Sequence, residues 1–393
     1  MLVQEFKVKA KPIQFAAIDE AIRTGQFVQN KALRYWMDNK KVGKADLSRL
    51  CKLLAAEFPF AKQLNSMARQ ASAERAWSAI SRFYDNCKQG IKPVGYPKFK
   101  KFARSVEYKT SGWTLLNPKR IKFTDKKNIG ELRLVGSWDL AHYPVELIKR
   151  VRLVRRADGY YCQFCIAVDR SEPQEPTGKT IGLDVGLAAF YTDSNGEKVE
   201  NPRFYRKREQ RRKRLARRLS KTKQGSNNRK KAINRLARFE LKTSRQRKDH
   251  AVKLARCVAK SNDFIAYEDL RIRNMVRNHN LAKSIADAGW YQFRIWLERY
   301  GEIFVKVTVA VPPAYTSQQC SSCGTIVKKS LSTRTHACQC GCVLDRDENA
   351  AKNILAAGLS TVGHTGTWAD SPNASGEMTA TQLDLGLVVQ VAS

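Results

Sequence analysis

The sequence predicts a multidomain α/β protein, in which a strand-rich N-terminal part carrying an inserted block of helices precedes an α/β domain interrupted by a four-cysteine knuckle. Three observations predict it. Residues 171–178, Ser-Glu-Pro-Gln-Glu-Pro-Thr-Gly, form a polar, proline-punctuated linker that divides the chain. Before the linker, short alternating segments separated by turn residues read as a barrel or curled sheet. After it, apolar strand-like runs alternate with helical patterns, and Cys320, Cys323, Cys338, Cys340 and Cys342 crowd into one short segment. A length of 393 residues holds two to three domains, and 42% hydrophobic residues suffice to bury their cores.

Residues 2–10 alternate like a strand and not like a signal peptide. No run approaches the roughly 18 consecutive apolar residues of a spanning helix, so neither secretion nor membrane insertion is expected. From Ile13 the apolar spacing turns helical, with segments near 15–39, 44–57 and 61–88, the last ended by Gly90 and Pro93. Strand-like runs follow at 105–109, 120–123, 131–135, 151–154 and 160–168. Residues 1–12 and 93–172 are therefore assigned to the strand-rich domain and residues 13–92 to a helical insertion.

Beyond the linker, residues 179–191 read as one buried strand, and Ser194-Asn195-Gly196 as a hairpin turn into a second. Residues 203–260 hold 24 Lys or Arg against only Glu209, Glu240 and Asp249, a net +21. Leu215, Leu219, Ile233, Leu236, Phe239, Val252 and Leu254 recur there at helical intervals around a Gly225-Ser-Asn-Asn228 turn, which predicts a basic helical hairpin. Phe264-Ile-Ala-Tyr-Glu is a short strand, 281–300 a helix, and 303–311 a strand stopped by Pro312-Pro313. The α/β domain thus covers 179–319 and 343–358 around a knuckle at 320–342. Residues 359–393, rich in Gly, Ser, Thr and Ala, read as a flexible tail.

The chain carries 72 Lys plus Arg against 36 Asp plus Glu, a formal +36 that points to a polyanionic partner, nucleic acid or an anionic surface. Within the basic hairpin, Arg211, Arg212, Lys213, Arg217, Lys230 and Lys231 are the candidate nucleic-acid contacts. Ten cysteines in a chain this long make no disulfide scaffold, so a reducing, cytoplasmic compartment is expected. Cys320-Ser-Ser-Cys323-Gly and Cys338-Gln-Cys340-Gly place two thiolate pairs fourteen residues apart, each closed by a glycine. Four thiolates suit tetrahedral zinc, with Cys342 or His336 able to replace one ligand of the shorter second pair. Cys162 and Cys165 lie three apart on a strand and face opposite sides, as packing residues do, and Cys51, Cys87 and Cys257 occupy helical apolar positions expected in cores.

The carboxylates carry the chemistry. In Ile181-Gly-Leu-Asp-Val-Gly-Leu187 the odd positions share one strand face, leaving Asp184 between two glycines on a bare surface that a phosphate backbone could approach. Glu268 ends an apolar strand, with Asp269 beside it as a competitor. Asp345 suits the N-cap of a following helix, on which Asp347 shares a face with Ala350, Ala351 and Ile354. Three acids from two strands and a helix could hold two divalent ions, Mg²⁺ or Mn²⁺, for phosphodiester cleavage. The sequence contains neither G-x-x-x-x-G-K-[ST] nor G-x-S-x-G, so neither a nucleotide-binding P-loop nor a serine hydrolase competes.

Together, Ile181-Gly-Leu-Asp-Val-Gly, Tyr267-Glu-Asp-Leu, Tyr315-Thr-Ser-Gln-Gln-Cys-Ser-Ser-Cys-Gly and Asp345-Arg-Asp-Glu-Asn-Ala-Ala-Lys-Asn-Ile resemble the TnpB family, encoded by insertion sequences and ancestral to compact type V CRISPR effectors. Gly95-Tyr-Pro-Lys-Phe-Lys, Asp287-Ala-Gly-Trp and Val311-Pro-Pro add to the likeness. The resemblance implies an RNase H-like (RuvC) nuclease domain with Asp184, Glu268 and Asp347 as its acids, a wedge-type N-terminal barrel and a helical recognition lobe. It also implies a guide RNA that pairs with target double-stranded DNA next to a short flanking motif, in a monomeric ribonucleoprotein at the prokaryotic nucleoid. A compact CRISPR effector and a non-cleaving RNA-guided repressor are the rival functions.

Overall fold

A computed structural model describes residues 1–126, 128–330 and 333–363. They form two compact units, Met1–Arg170 and the part that begins at Ser171.

The first unit opens with β1 (Leu2–Lys9), followed by the helices α1 (Pro12–Asp38), α2 (Lys44–Glu57), α3 (Pro59–Gln63) and α4 (Ser66–Lys88). Six strands follow, β2 (Ser105–Lys109), β3 (Trp113–Asn117), β4 (Arg120–Phe123), β5 (Glu131–Val135), β6 (Ile148–Arg156) and β7 (Gly159–Ile166). They join β1 in one antiparallel sheet of order β2-β6-β7-β1-β5-β4-β3. Alternation decides its inner face: Phe6 and Val8 of β1, Leu132 and Leu134 of β5, and Cys162 and Phe164 of β7 are all buried there.

At 27 residues α1 is about 40 Å long, so only its first half can lie on the sheet. Ala17, Ile18, Ala21 and Ile22 do so, whereas Val28, Ala32, Leu33 and Trp36 build a second core with Leu47, Cys51 and Leu54 of α2 and Ala73, Ala76 and Ile80 of α4. A buried ion cluster fastens α4 to the sheet, with Arg75 of α4 3.6 Å from Glu107 of β2, which also accepts from Arg150 and Arg152 of β6. Strand β3 is absent from the sequence expectation because it is an edge strand with one buried residue, Trp113, and so lacks alternation. Cys162 and Cys165 are both buried, as is Cys51, but Cys87 and Cys257 are exposed, which corrects their assignment to cores. Each falls on the solvent side of its helix.

In the second unit, residues 179–191 are not one strand. They form β8 (Thr180–Val185) and β9 (Ala189–Asp193), paired antiparallel, because the chain reverses after Gly186, whose amide bonds back to Phe190. The expected hairpin turn at Gly196 (φ 85°) leads to β10 (Lys198–Glu200). Next come α5 (Glu209–Ser220), α6 (Asn227–Ser261), β11 (Phe264–Glu268), α7 (Ile272–Met275), α8 (His279–Ala288) and α9 (Trp290–Phe304). The single helix expected over 281–300 is thus two, divided at Gly289, which adopts the left-handed conformation (φ 75°). Strand β12 is Val307–Val311, shorter than expected because Ile303 and Phe304 still belong to α9 and Val305 (φ 58°) turns the chain. The hairpin β13 (Thr335–Ala337) and β14 (Val343–Asp345) runs straight into α10 (Arg346–Gly363). Residues 359–363 therefore extend a helix, and the remainder of the expected tail, 364–393, lies outside the described residues.

The five-stranded sheet has the order β10-β9-β8-β11-β12, with β9 antiparallel to both β10 and the central β8, and β11 and β12 parallel to β8. Its two faces divide by alternation. Ile181, Leu183, Ile265 and Tyr267 pack with Ala251, Ala255, Val258 and Ala259 of α6 and Phe293, Leu297 and Phe304 of α9. Phe264, Ala266 and Val311 on the other face pack with Ile354 and Leu355 of α10. A Cβ placed on Gly182 would stand 2.1 Å from the Ala351 carbonyl oxygen and 2.8 Å from the Leu355 nitrogen, so the α10 backbone rests directly on that glycine. The sequence argument that glycine beside Asp184 bares the strand for a phosphate is corrected at this position, because the space over Gly182 is filled by a helix. Gly182→Ala is accordingly expected to lift α10 and to destabilise this unit by about 3 kcal/mol, the upper end for overpacking a core, measured as a shift in its thermal or urea transition.

Candidate functional site

The register of the parallel strands sets the first two acids side by side. Tyr267 pairs with Leu183, so one step further Glu268 lies alongside Asp184 at the carboxyl ends of β11 and β8. Both follow residues that face α10, Gly182 and Ala266, two positions earlier. The third acid, Asp347, sits in the first turn of that helix. Burial raises the Asp184 carboxyl well above its ordinary value, and the charges of Glu268 and Asp347 raise it further against Arg346. Burial also raises Glu268, opposed by a hydrogen bond of 2.6 Å that the Thr316 hydroxyl donates to its Oε1.

The competitors are engaged elsewhere. Asp269 pairs with Arg294, and its amide extends the ladder to the Val311 carbonyl at 2.8 Å. Asp345 accepts from the Asp347 amide at 2.9 Å, as an N-cap does, while its other oxygen takes Lys198 at 2.7 Å. The carboxylate of Asp347 is itself held by Arg346 at 3.0 Å and Arg334 at 3.4 Å. Asp184 is therefore within electrostatic reach of both Glu268 and Asp347, but the three acids are less tightly gathered than the cysteines.

Among the described residues, Cys320, Cys323, Cys338 and Cys340 form the group of ligating side chains whose ligand atoms all lie within 4.8 Å of one another. Sulfur separations of 3.7 Å (Cys320 to Cys340) and 3.5 Å (Cys323 to Cys338) are close to the edge of about 3.8 Å of a tetrahedron with 2.3 Å metal–sulfur bonds. Gly324 (φ 77°) and Gly341 (φ 85°) make both turns left-handed, which lets the Gly324 amide reach Cys320 O and the Gly341 amide reach Cys338 O. Hydrogen bonding from the hydroxyl and amide of Thr325 lowers the Cys323 thiol to about 6. Cys342 stands outside the quartet, and its carbonyl accepts from the Cys338 amide. His336 is fully buried, with Nδ1 against the Lys329 ammonium.

Sequence reasoning missed the groups that join knuckle to acids. On α10, Asn349 accepts from the Ser321 amide at 2.9 Å and donates to Gln319 O at 2.7 Å. One turn later Asn353 donates to Gln319 O and to Thr316 O, and Thr316 in turn holds Glu268. The available signal was two asparagines four apart on a helix otherwise presenting alanine and isoleucine to the sheet, since an amide in that setting must find partners.

The basic hairpin is α5 packed on α6. Arg212 is spent on Glu240 across that pair and Lys213 on Glu209, whereas Arg211, Arg217, Lys230 and Lys231 are exposed without a carboxylate partner among the described residues. Asp287 of α8 accepts from the amides of Tyr205 and Arg206 at 2.8 and 3.0 Å and fixes where the hairpin begins.

A carboxyl raised by burial stays protonated in the fold at pH values where the unfolded chain ionises, so its contribution to stability falls as pH rises above about 4. Asp184→Asn removes that cost. In magnesium-free buffer it is expected to melt higher than the wild type at pH 7, by about 2–4 °C per kcal/mol relieved, with the gap closing below about pH 4 in a calorimetric series.

Comparison with known proteins bears on the same residues. A family model described as "Probable transposase" matches residues 163–279, and one described as "Cas12f1-like, TNB domain" matches 290–354. Two bacterial relatives are named "Putative RNA-guided DNA endonuclease". The Streptomyces pristinaespiralis protein is 31% identical over 377 residues, 90% of this chain and 89% of its own. The Escherichia coli K12 protein, InsQ, is 28% identical over 364 residues, 85% and 86% of the two chains. "TnpB-like protein L79" of Acanthamoeba polyphaga mimivirus is 32% identical over 150 residues, 36% of this chain and 29% of its own. Among solved structures, the Cas12f1-sgRNA-target DNA complex aligns at a TM-score of 0.56 with 15% identity, covering 86% of this chain and 81% of that one. The mini-RNA-guided endonuclease CRISPR-Cas_phi3 aligns at 0.51 with 9% identity, covering 90% and 92%. These two likenesses show a shared multidomain α/β fold, and the identity carried across nine-tenths of its length shows that this chain belongs to the TnpB family.

Proposed function

We propose that this protein is an RNA-guided DNA endonuclease of an insertion sequence that cuts target double-stranded DNA at Asp184, Glu268 and Asp347. The observation that carries the proposal is the register that aligns Glu268 with Asp184 under the helix that bears Asp347. The bacterial relatives that match most of the chain have the same activity in their names. A sheet of order β10-β9-β8-β11-β12, antiparallel on one side of β8 and parallel on the other, supports reading 179–319 and 343–358 as an RNase H-like RuvC domain. The sheet of the first unit then serves as the wedge and its helices as the recognition lobe. A formal +36 suits a monomer wrapped around a guide RNA and a heteroduplex, working at the nucleoid. No helix among the described residues is long and apolar enough to cross a membrane.

The donor sets fit their metals. A carboxyl such as Asp184, raised by burial and by the charges of Glu268 and Asp347, would be relieved by a dication, and all-oxygen ligation suits Mg²⁺ or Mn²⁺. Two such ions supply activation of the attacking water and charge stabilisation of the leaving oxygen. The chain's own part is to hold three acids on one face, to fix Glu268 through Thr316, and to bring Arg334 and Arg346 beside Asp347. Zinc suits Cys320, Cys323, Cys338 and Cys340.

A compact type V effector is the second reading, favoured by the fold shared with the Cas12f1 complex. A non-cleaving repressor is disfavoured by the presence of all three acids.

Co-expression with the RNA-coding end of its element is expected to yield a ribonucleoprotein that cuts a plasmid library with randomised flanking sequence in Mg²⁺. Asp184→Ala should retain the RNA and cut at least about 10³-fold more slowly, roughly 4 kcal/mol of barrier. Equal cutting by the two would remove Asp184 from the site. Metal analysis by mass spectrometry should find one zinc per chain, lost in Cys320→Ser and Cys340→Ser and kept in Cys342→Ser.

A further inference from the structure

The segment between α4 and β2 carries a feature that the cleavage site does not use. Residues 91–104 form neither helix nor strand, yet their backbone is fixed to one face of α1. Gln26 donates to the carbonyls of Lys100 and Lys101 at 2.9 Å and accepts from the Ala103 amide at 2.7 Å. One turn on, Asn30 both donates to Lys100 O and accepts from Lys100 N at 2.9 Å. A further turn on, the Arg34 guanidinium lies 5.6 Å from the centre of the Phe99 ring. Gln26, Asn30 and Arg34 are spaced four apart, so this is a track built along a single helix face.

What the track presents is unusual for a monomer's surface. Aromatic residues recur at every third position, Tyr96, Phe99 and Phe102, and are 53%, 44% and 87% exposed. Tyr96 is anchored against Trp36 and Phe83 at 5.8 and 5.2 Å between ring centres. Phe102 stands almost wholly in water, at an unrecovered hydrophobic cost. Between and beside the rings, Lys98, Lys100, Lys101 and Arg104 are exposed and have no carboxylate partner among the described residues. Residues 88–106 contain no acid at all.

We infer that residues 96–104 are a stacking track for unpaired nucleobases, in which Phe102 and Phe99 take base faces and the intervening lysines take the phosphates. The inference rests on the nucleic-acid partners proposed above and adds a site outside the cleavage centre. Flat rings on a pre-ordered backbone stack on bases of any sequence, and cations at one- to two-residue spacing match a charged backbone. An anionic lipid surface would use the same charges, but the aromatic faces and the chain's overall +36 favour a strand.

The test uses the full chain as Asp184→Ala, so that binding is read without cutting. Twenty-nucleotide single strands of RNA and of DNA carry one 5-iodouracil base, and a fully paired duplex carries it internally. Ultraviolet cross-linking followed by peptide mapping is expected to place adducts on Phe102 or Phe99 with single strands and not with the duplex, and the stronger arm identifies RNA or DNA as the source. At fixed salt, Phe102→Ala should weaken single-strand binding by about tenfold without altering the slope of log affinity against log salt, and Phe102→Trp should restore it. Lys100→Ala should instead lower that slope by about one. Absence of adducts within 91–104 from every strand, unchanged affinity in Phe102→Ala, or Phe102-dependent binding to anionic phospholipid vesicles in preference to either strand would overturn the inference. Each outcome is independent of whether Asp184 proves to be catalytic.

Discussion

The second unit depends on one close contact, the backbone of α10 lying on Gly182. Helices ordinarily pack on sheets through their side chains. Here a strand position without a Cβ, and small residues on the helix at Ala350, Ala351 and Gly358, allow backbone to touch backbone. That approach determines where the first turn of α10 falls, and hence where Asp347 stands relative to Asp184 and Glu268. Burial under the helix, and after it the charges of Glu268 and Asp347, raise the Asp184 carboxyl as a result of the same packing. Like charges confined in this way cost stability.

The cysteine knuckle belongs to the same construction. Its second cysteine pair lies in the turn of the β13–β14 hairpin, whose last residue, Asp345, caps α10. Its first pair is tied to α10 by Asn349, and the segment leading to it is tied by Asn353. Thr316 closes the loop onto Glu268. Side-chain amides, not apolar packing, thus connect the knuckle with two of the three acids. Such a network has discrete bonding partners and tolerates little displacement.

Basic charge is distributed by a different logic. In the first unit the cations around Glu107 are consumed in tying α4 to the sheet, and in the hairpin Arg212 ties α5 to α6. Arg211, Arg217, Lys230 and Lys231 on the hairpin, and Lys98, Lys100, Lys101 and Arg104 on the first unit, are exposed without a carboxylate partner among the described residues. Net charge therefore does not identify contacting residues, because ion pairing inside the fold removes some of the candidates.

Much of this protein is written in local sequence. Alternation and apolar spacing determined β1, the long helices and β11, since periodicity reports which face is buried whatever lies opposite. The spacing of four cysteines and two glycines specified a metal-type knuckle, since φ above zero and thiolate pairing are local demands. Asp184 and Glu268 stood out in the sequence as charges in and at the end of apolar runs, and Asp347 as an acid sharing a helix face with Ala350, Ala351 and Ile354. Tertiary structure alone decided that Gly182 serves a helix and not a ligand, that residues 179–191 fold back at Gly186, and that Cys340 and not Cys342 completes the quartet. It alone decided that Asp269 is taken by Arg294, and that Asn349, Asn353 and Thr316 bind the parts together. Each of these rests on what stands across from a residue in space, and a sequence pattern records the spacing along its own element but not the atoms that another element brings against it.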